Sequence, residues 1–308
     1  MTLHSLCQDN RYFVQFLIVE SISLMPHRPA FDPSAPPTNA AVAAHYDVLD
    51  PFYRDIWGEH VHHGLWVTGR ETVAEATEQM SRRMLEALSL TPGTRVADIG
   101  CGYGGTARLA ANAYGAHVIG LTLSEAQKRF ADRQTVSRGS VEVLVRDWKD
   151  AAFEPSSFDA ILALESLEHF HDKADFARMA RTALRPGGRL VVTTWLAAEN
   201  ASRWSRRHLL DAVSREGSAA RLVSEREIRA LFAAAGFNEI LVEDLSPQVR
   251  RTWSLILGRF AGRLLTRPSY WSFLLKSQAR DRVFALTIWR ILLAYRMGVF
   301  RYGYFVWE

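Results

Sequence analysis

Apolar residues along this chain fall into two spacings, and the switch between them predicts its elements. From Ala40 to Trp57 and from Glu71 to Leu88 they recur every three to four residues, the period of an amphipathic helix. After a break at Thr91-Pro92-Gly93 the pattern becomes short, nearly continuous apolar runs separated by further helical stretches. TRVADIG (94–100), HVIGL (117–121), VEVLVRD (141–147), FDAILALE (158–165) and RLVVTTW (189–195) read as buried strands. Helices are predicted over Gly104–Tyr114, from an N-cap at Ser124 through Thr135, and over Asp172–Leu184. EILVEDL (239–245) and RYGYFVW (301–307) read as strands six and seven. Strands alternating with helices in this way imply parallel βαβ units. Right-handed crossovers wind such units into a doubly wound α/β sheet. Its ligands sit at the carboxyl ends of the strands, so functional residues are sought just after each one.

The flanks read differently. Tyr12–Leu24 (YFVQFLIVESISL) is apolar but too short to cross a bilayer as a helix. Asp9 and Glu20 do not suit a signal peptide. Residues 1–39 are expected to be a disordered extension and linker, with Pro26, Pro29, Pro33, Pro36 and Pro37 in the linker and Met25 as an alternative start. The folded domain is expected over residues 40–308, with cap helices at 40–90 and a helical lid insertion at 247–299. That insertion is too long for a hairpin loop. Trp253, Ile256, Leu257 and Phe260, then Phe284, Ile288, Ile291, Leu292 and Tyr295, recur at helical spacing within it. It carries many arginines against a single acid, Asp281. One reading is a hydrophobic lid that touches anionic lipid through Arg259, Arg263 and Arg267. The other is a pair of helices packed on the sheet with solvated arginines.

Composition narrows the class only a little. With 308 residues, 48% hydrophobic and 23% charged, the chain is neither disordered nor fibrous. A net charge of +4 allows an anionic partner or a membrane surface. No basic stripe interleaved with stacking aromatics is present, so no nucleic-acid partner is expected. Two cysteines, Cys7 and Cys101, build neither a disulfide framework nor a cysteine-rich zinc site. A cytoplasmic setting is expected, with peripheral contact at the inner membrane face. The oligomeric state stays open.

The chemistry concentrates at strand ends. Asp98-Ile99-Gly100-Cys101-Gly102-Tyr103-Gly104-Gly105 ends the first strand and opens a helix, and its glycines let the backbone turn sharply against a ligand. Their spacing fits both G-x-G-x-G and the dinucleotide pattern G-x-G-x-x-G. A dinucleotide site also wants an acid at the end of the second strand, where this chain has Thr122.

VADIGCGYGG (96–105) and LRPGGRLVV (184–192) resemble motifs of the class I S-adenosylmethionine-dependent methyltransferases. The resemblance covers residues 40–308 and implies a Rossmann-like, mostly parallel seven-stranded sheet with S-adenosyl-L-methionine as cofactor. GLTLSEAQ (120–127), PFYRDIWGEHVHHGLW (51–66) and ESLEHF (165–170) are similar to segments of the tocopherol methyltransferase and cyclopropane-fatty-acid synthase branch. The resemblance implies cofactor contacts from His62, His63, Asp98, Gly100, Gly102, Thr122, Leu123, Gln127, Asp147, Trp148 and Glu165. Asp147 and Trp148 would hold adenine, although core packing would also account for Trp148. Glu168 and His169 would face the substrate. His169 would act as base, paired with Tyr53 as in the related phosphoethanolamine methyltransferases; a structural hydrogen bond is the other reading. Tyr46 and Trp66 are candidates to face the sulfonium. Where cyclopropane synthases carry a cysteine this chain has Gly64, which argues against cyclopropanation. His60, His62 and His63 match no recognised metal spacing, so no metal is expected. The resulting expectation is O- or C-methylation of a small hydrophobic substrate, a prenylated phenol or terpenoid. N-methylation of a small amine is the alternative.

Overall fold

Residues 38–271 and 284–308 are described by the structure, a computed structural model. Seven strands form one sheet in the order β3-β2-β1-β4-β5-β7-β6. They are β1 (Arg95–Ile99), β2 (His117–Thr122), β3 (Ser140–Val145), β4 (Phe158–Leu164), β5 (Leu184–Ala197), β6 (Glu239–Asp244) and β7 (Phe300–Trp307). The first five pair in parallel. β7 runs antiparallel between β5 and β6. Strand order reverses between β1 and β4, which places the ligand crevice at their carboxyl ends.

The central strands read as continuous apolar runs because helices cover both faces. On one face lie α1 (Asn39–Ile56), α2 (Val73–Ala87) and α3 (Gly105–Tyr114); their Ile56, Met80, Met84 and Ala107 share a core with Val96 and Val191. On the other face α5 (Lys173–Ala183) and α7 (Glu225–Ala234) bring Phe176 and Phe232 against Ile161, Leu190 and Trp307. α4 (Glu125–Ala131) follows β2, and α6 (Asp211–Glu216) precedes α7. Local chemistry starts these helices where the sequence predicts. Thr72 and Glu75 form a reciprocal capping box on α2, and the Ser124 hydroxyl accepts from Gln127 N at 3.1 Å to cap α4.

Two elements depart from expectation by more than two residues. α4 stops at Ala131 rather than Thr135, because residues 132–135 are all exposed and offer no buried face to hold another turn. β5 is longer than 189–195: Leu184 pairs with Phe158, and a register shift between Phe158 and Ala160 absorbs Pro186-Gly187-Gly188.

After β6 the chain enters α8 (Arg251–Thr266) and later α9 (Phe284–Arg296). Both pack on the core: Trp253, Ile256 and Phe260 of α8 are buried, as are Ile288, Ile291 and Tyr295 of α9. The arginines expected to meet lipid are already engaged. Arg259 donates to the Ile56 carbonyl, and Arg263 and Arg267 pair with Asp55 at 2.9 and 3.3 Å. Arg290 pairs with Glu216. Lys276, Arg280, Asp281 and Arg282 lie outside the described residues.

Candidate active site

A cavity of about 340 Å³ opens at the carboxyl ends of β1, β2 and β4. Gly100, Gly102 and Asp98 line it from the first loop, and Thr122, Leu123 and Gln127 from the second. Asp147 and Trp148 follow β3; Glu165, Ser166 and His169 follow β4. α1 covers the cavity with Asn39, Val42 and Tyr46, and the next loop adds His60 and His62.

The glycine loop is shaped by close approach. Gly100 has φ +81°, and a Cβ there would lie 2.4 Å from Ser166 Cβ. The Ser166 hydroxyl donates to the Ile99 carbonyl at 2.6 Å, so the β1 and β4 loops touch across the crevice. At Gly102, φ +54°, a Cβ would meet no atom within 4 Å. A side chain there would extend into the free space that the loop borders.

The polar lining is largely satisfied by the protein. Thr122 donates to Gln127 Oε1 at 2.5 Å. Asp147 accepts from Lys149 N at 3.0 Å and from the Asn39 amide. Trp148 packs against Phe170 and Phe176 while bordering the cavity, so it belongs to the core and to the lining at once. Asp98 is the exception. Its Oδ2 is buried without a partner among the described residues, and burial pushes its carboxyl up to about 7. A buried carboxylate with a free oxygen, beside glycines that leave room for a ligand, fits a cofactor with cationic groups.

Four expected residues, His63, Glu168, Trp66 and Tyr53, lie off the cavity lining. His63 is 1% exposed and does not line the cavity; its Nδ1–H donates to Glu165 Oε2 at 2.9 Å. Adjacent residues point to different sides, so only His62 of the pair reaches the pocket. Glu168 is 2% exposed and turned from the cavity, accepting from the Thr194 hydroxyl at 3.1 Å. Burial first, then the nearby Glu165 charge, pushes its carboxyl up to about 8. Trp66 is buried beside Val73 and Ala76 and donates to Thr252 Oγ1 at 2.9 Å, remote from the lining.

The expected pairing of Tyr53 with His169 is replaced by a different one. The hydroxyl of Tyr46 reaches His169 Nε2 at 3.1 Å, while the Tyr53 hydroxyl lies 3.0 Å from His45 Nε2. Tyr46 and Tyr53 are seven residues apart on α1 and share one face, with ring centroids 5.7 Å apart. His169 Nδ1 lies 3.0 Å from the Ser218 carbonyl, which can only accept. Nδ1 therefore carries the proton and Nε2 accepts from Tyr46. Burial holds the His169 pKa below its ordinary value, which favours the neutral ring.

Glu165 adopts φ +49°, a conformation costing about 1–3 kcal/mol for a non-glycine residue. Four donors surround its carboxylate: His63 N at 2.6 Å, His63 Nδ1, Trp195 Nε1 at 3.0 Å and the Tyr302 hydroxyl at 2.8 Å. Burial opposes ionisation here, but the neighbouring His63, and after it His62, hold the carboxyl below its ordinary range. Sequence reasoning missed Ser218, Trp195, Tyr302, and the buried tips of Trp253 and Tyr295. The available signal was that buried Trp and Tyr need partners for their N–H and O–H groups. Among the described residues, no three His, Cys, Asp or Glu side chains are grouped to hold a metal ion.

Sheet order, glycine loop and crevice together define a class I methyltransferase fold. A family model described as mycolic acid cyclopropane synthetase matches residues 34–267, and the chain belongs to that family. It is 33% identical over 229 residues to 27-O-demethylrifamycin SV methyltransferase of Amycolatopsis mediterranei, covering 73% of this chain and 84% of that protein. To the chloroplastic tocopherol O-methyltransferase of Arabidopsis thaliana it is 28% identical over 282 residues, covering 85% and 80%. Among solved structures, mycolic acid cyclopropane synthase CmaA1, complexed with SAH and CTAB, superposes with a TM-score of 0.78 at 23% identity, covering 89% of this chain and 99% of that one. The protein is an S-adenosylmethionine-dependent methyltransferase, as the motif resemblance implied.

Proposed function

We propose that the enzyme O-methylates a small hydrophobic alcohol or phenol, of the prenylated phenol or terpenoid class, with His169 as general base. The observation that carries this reading is the tautomer of His169. Its Nδ1–H is held by the Ser218 carbonyl, leaving a neutral, basic Nε2 at the cavity edge. The proton of an acceptor hydroxyl passes to Nε2, directly or through the Tyr46 hydroxyl, which gives up its own proton as it takes the acceptor's. Burial raises the Tyr46 phenol well above its ordinary pKa, so Tyr46 relays a proton and does not store a charge. When bound, S-adenosylmethionine supplies a methyl group already activated on a sulfonium. The protein's task is then orientation, worth about 7–11 kcal/mol, and removal of one proton, worth about 10²–10⁴-fold.

Asp147 and Trp148 are assigned to adenine, Thr122, Leu123 and Gln127 to the ribose side, and Asp98 to the cationic amino-acid end. Gly100 and Gly102 admit the cofactor by close backbone approach, and His62 covers it. Cyclopropanation is not supported at Gly64, where a Cβ would lie 2.6 Å from Ala76 Cβ and a cysteine has no room. Support for the hydrophobic acceptor comes from the names of the relatives above. Peripheral lipid contact is assigned to Trp289, Leu293 and Met297, which lie four residues apart and are 58%, 43% and 46% exposed. Among the described residues no helix is long and apolar enough to cross a membrane.

The test is turnover with labelled cofactor against a panel of prenylated phenols, terpenoid alcohols and small amines, with mass identification of the product. His169→Gln is expected to lower kcat by about 10²–10⁴-fold while SAH affinity holds. Tyr46→Phe is expected to act in the same direction and Tyr53→Phe to act less. Preferential turnover of a water-soluble amine, or wild-type kcat in both His169→Gln and Tyr46→Phe, would sink this reading.

A further inference from the structure

The insertion after β6 ends on the back of the cofactor cavity. Trp253 of α8 donates its indole N–H to His63 Nε2 at 2.6 Å, and the Tyr295 hydroxyl of α9 lies 3.0 Å from the same nitrogen. An indole N–H can only donate, so Nε2 bears no proton and the proton of the neutral ring sits on Nδ1. That Nδ1–H is one of the four donors to Glu165, the cavity-lining carboxylate in the left-handed region. The chain of contacts therefore runs from two insertion helices, through one imidazole, to a strained residue of the site. Glu165 faces His63 from the end of β4, Trp195 from β5 and Tyr302 from β7. The His62 Nδ1–H donates to the His63 carbonyl at 2.9 Å.

We propose that Trp253 and Tyr295 are positioning residues. They hold His63 as the neutral Nδ1–H tautomer and, through it, hold Glu165 in the conformation that shapes the cofactor cavity. The insertion thus serves the cofactor side of the reaction, whatever it does for the acceptor. Nε2 has one lone pair, which the Trp253 N–H takes, with the Tyr295 hydroxyl beside it. Removing both groups leaves Nε2 unpaired and frees the ring to turn and change tautomer, and Glu165 loses its fixed partner. The proposal rests on the cavity taking S-adenosylmethionine.

The experiment compares wild type with the double variant Trp253→Phe, Tyr295→Phe, which keeps the aromatic packing and removes both donors. Ile256→Val serves as control, since it trims the buried face of α8 without touching the hydrogen bonds. Nitrogen NMR of the histidine rings is expected to show a wild-type His63 that bears its proton on Nδ1. The double variant is expected to show a mixture of the two ring tautomers. Calorimetric SAH affinity is expected to fall on the order of tenfold in the double variant, with KM for the cofactor rising and kcat little changed. Ile256→Val is expected to lower the melting temperature and leave both readouts at wild type. A wild-type His63 that bears its proton on Nε2, or wild-type SAH affinity in the double variant, would overturn the proposal. Failure of the wild type to bind SAH would overturn the cofactor reading instead, and the NMR comparison would still decide the tautomer.

Discussion

At Asp98 a single unsatisfied oxygen sets the sign of a pH dependence. Burial lifts this carboxyl to about 7, so near neutrality much of the free protein holds a proton there. A cationic group of the cofactor beside it favours the carboxylate and lowers the pKa again. Binding then releases a proton, and SAH affinity is expected to rise with pH from about 5 to about 7 and level off above. In the free protein the linkage runs the other way. A folded-state pKa raised above the unfolded value favours the fold on the acid side, and that contribution is lost as pH rises through about 7. Calorimetry in buffers of different ionisation enthalpy measures the proton directly. Proton uptake at pH 6.5, or no exchange, would mean that Asp98 does not meet the cofactor's cation. The residue scale also shows where sequence reading stops. Asp98, the glycines, Thr122, Gln127, Asp147 and Trp148 were legible because a strand end presents its next residues to the crevice by construction. Which of two neighbours faces inward was not. His62 and His63 differ by one position, and Tyr46 and Tyr53 share a helix face, so their choice depends on packing that local pattern does not encode.

The helices were legible in place and illegible in role. Apolar spacing predicted buried faces on α8 and α9, and Trp253, Ile256 and Phe260 of the first and Ile288, Ile291 and Tyr295 of the second are buried. What spacing could not give was the fate of their arginines, because an arginine on an exposed face reads the same whether a carboxylate waits nearby or not. Asp55, on α1, takes both Arg263 and Arg267. These pairs are partly exposed, with Arg263 at 37% and Asp55 at 18%, so each is worth under about 1 kcal/mol. Arg263→Ser with Arg267→Ser is therefore expected to lower the melting temperature slightly and to leave co-sedimentation with anionic vesicles near wild type. Trp289→Ser with Leu293→Ser is expected to do the opposite, weakening vesicle binding with little effect on stability. Loss of vesicle binding in the arginine variant alone would return the lipid contact to α8.

At the scale of the whole molecule, the sheet was legible as seven strands, but the sequence pattern did not state that the last strand inserts between the fifth and the sixth. That placement makes residues 300–307 structural. β7 pairs with β5 along eight residues, from Phe300 against Ala197 to Trp307 against Leu190. On its other edge it pairs with β6. Trp307 stacks on Phe232 of α7 at 4.0 Å, and Tyr302 and Phe300 carry the opposite face into the core beneath α9. Tyr302 also supplies a donor to Glu165, so the same strand holds the sheet together and reaches the site. Removing residues 300–308 would strip both neighbours of a hydrogen-bonding edge and take away five buried aromatic side chains, Phe300, Tyr302, Tyr304, Phe305 and Trp307, each worth about 1.5–3 kcal/mol of burial. That loss is comparable to the whole stability of a typical domain. The truncated chain is expected to be insoluble, or to lack a cooperative thermal transition by circular dichroism, and not to bind SAH. A chain beginning at Met25 keeps every described element and is expected to melt and bind as the full chain does. A soluble, cooperatively melting protein without β7 that still bound SAH would show that the five parallel strands form the site unaided.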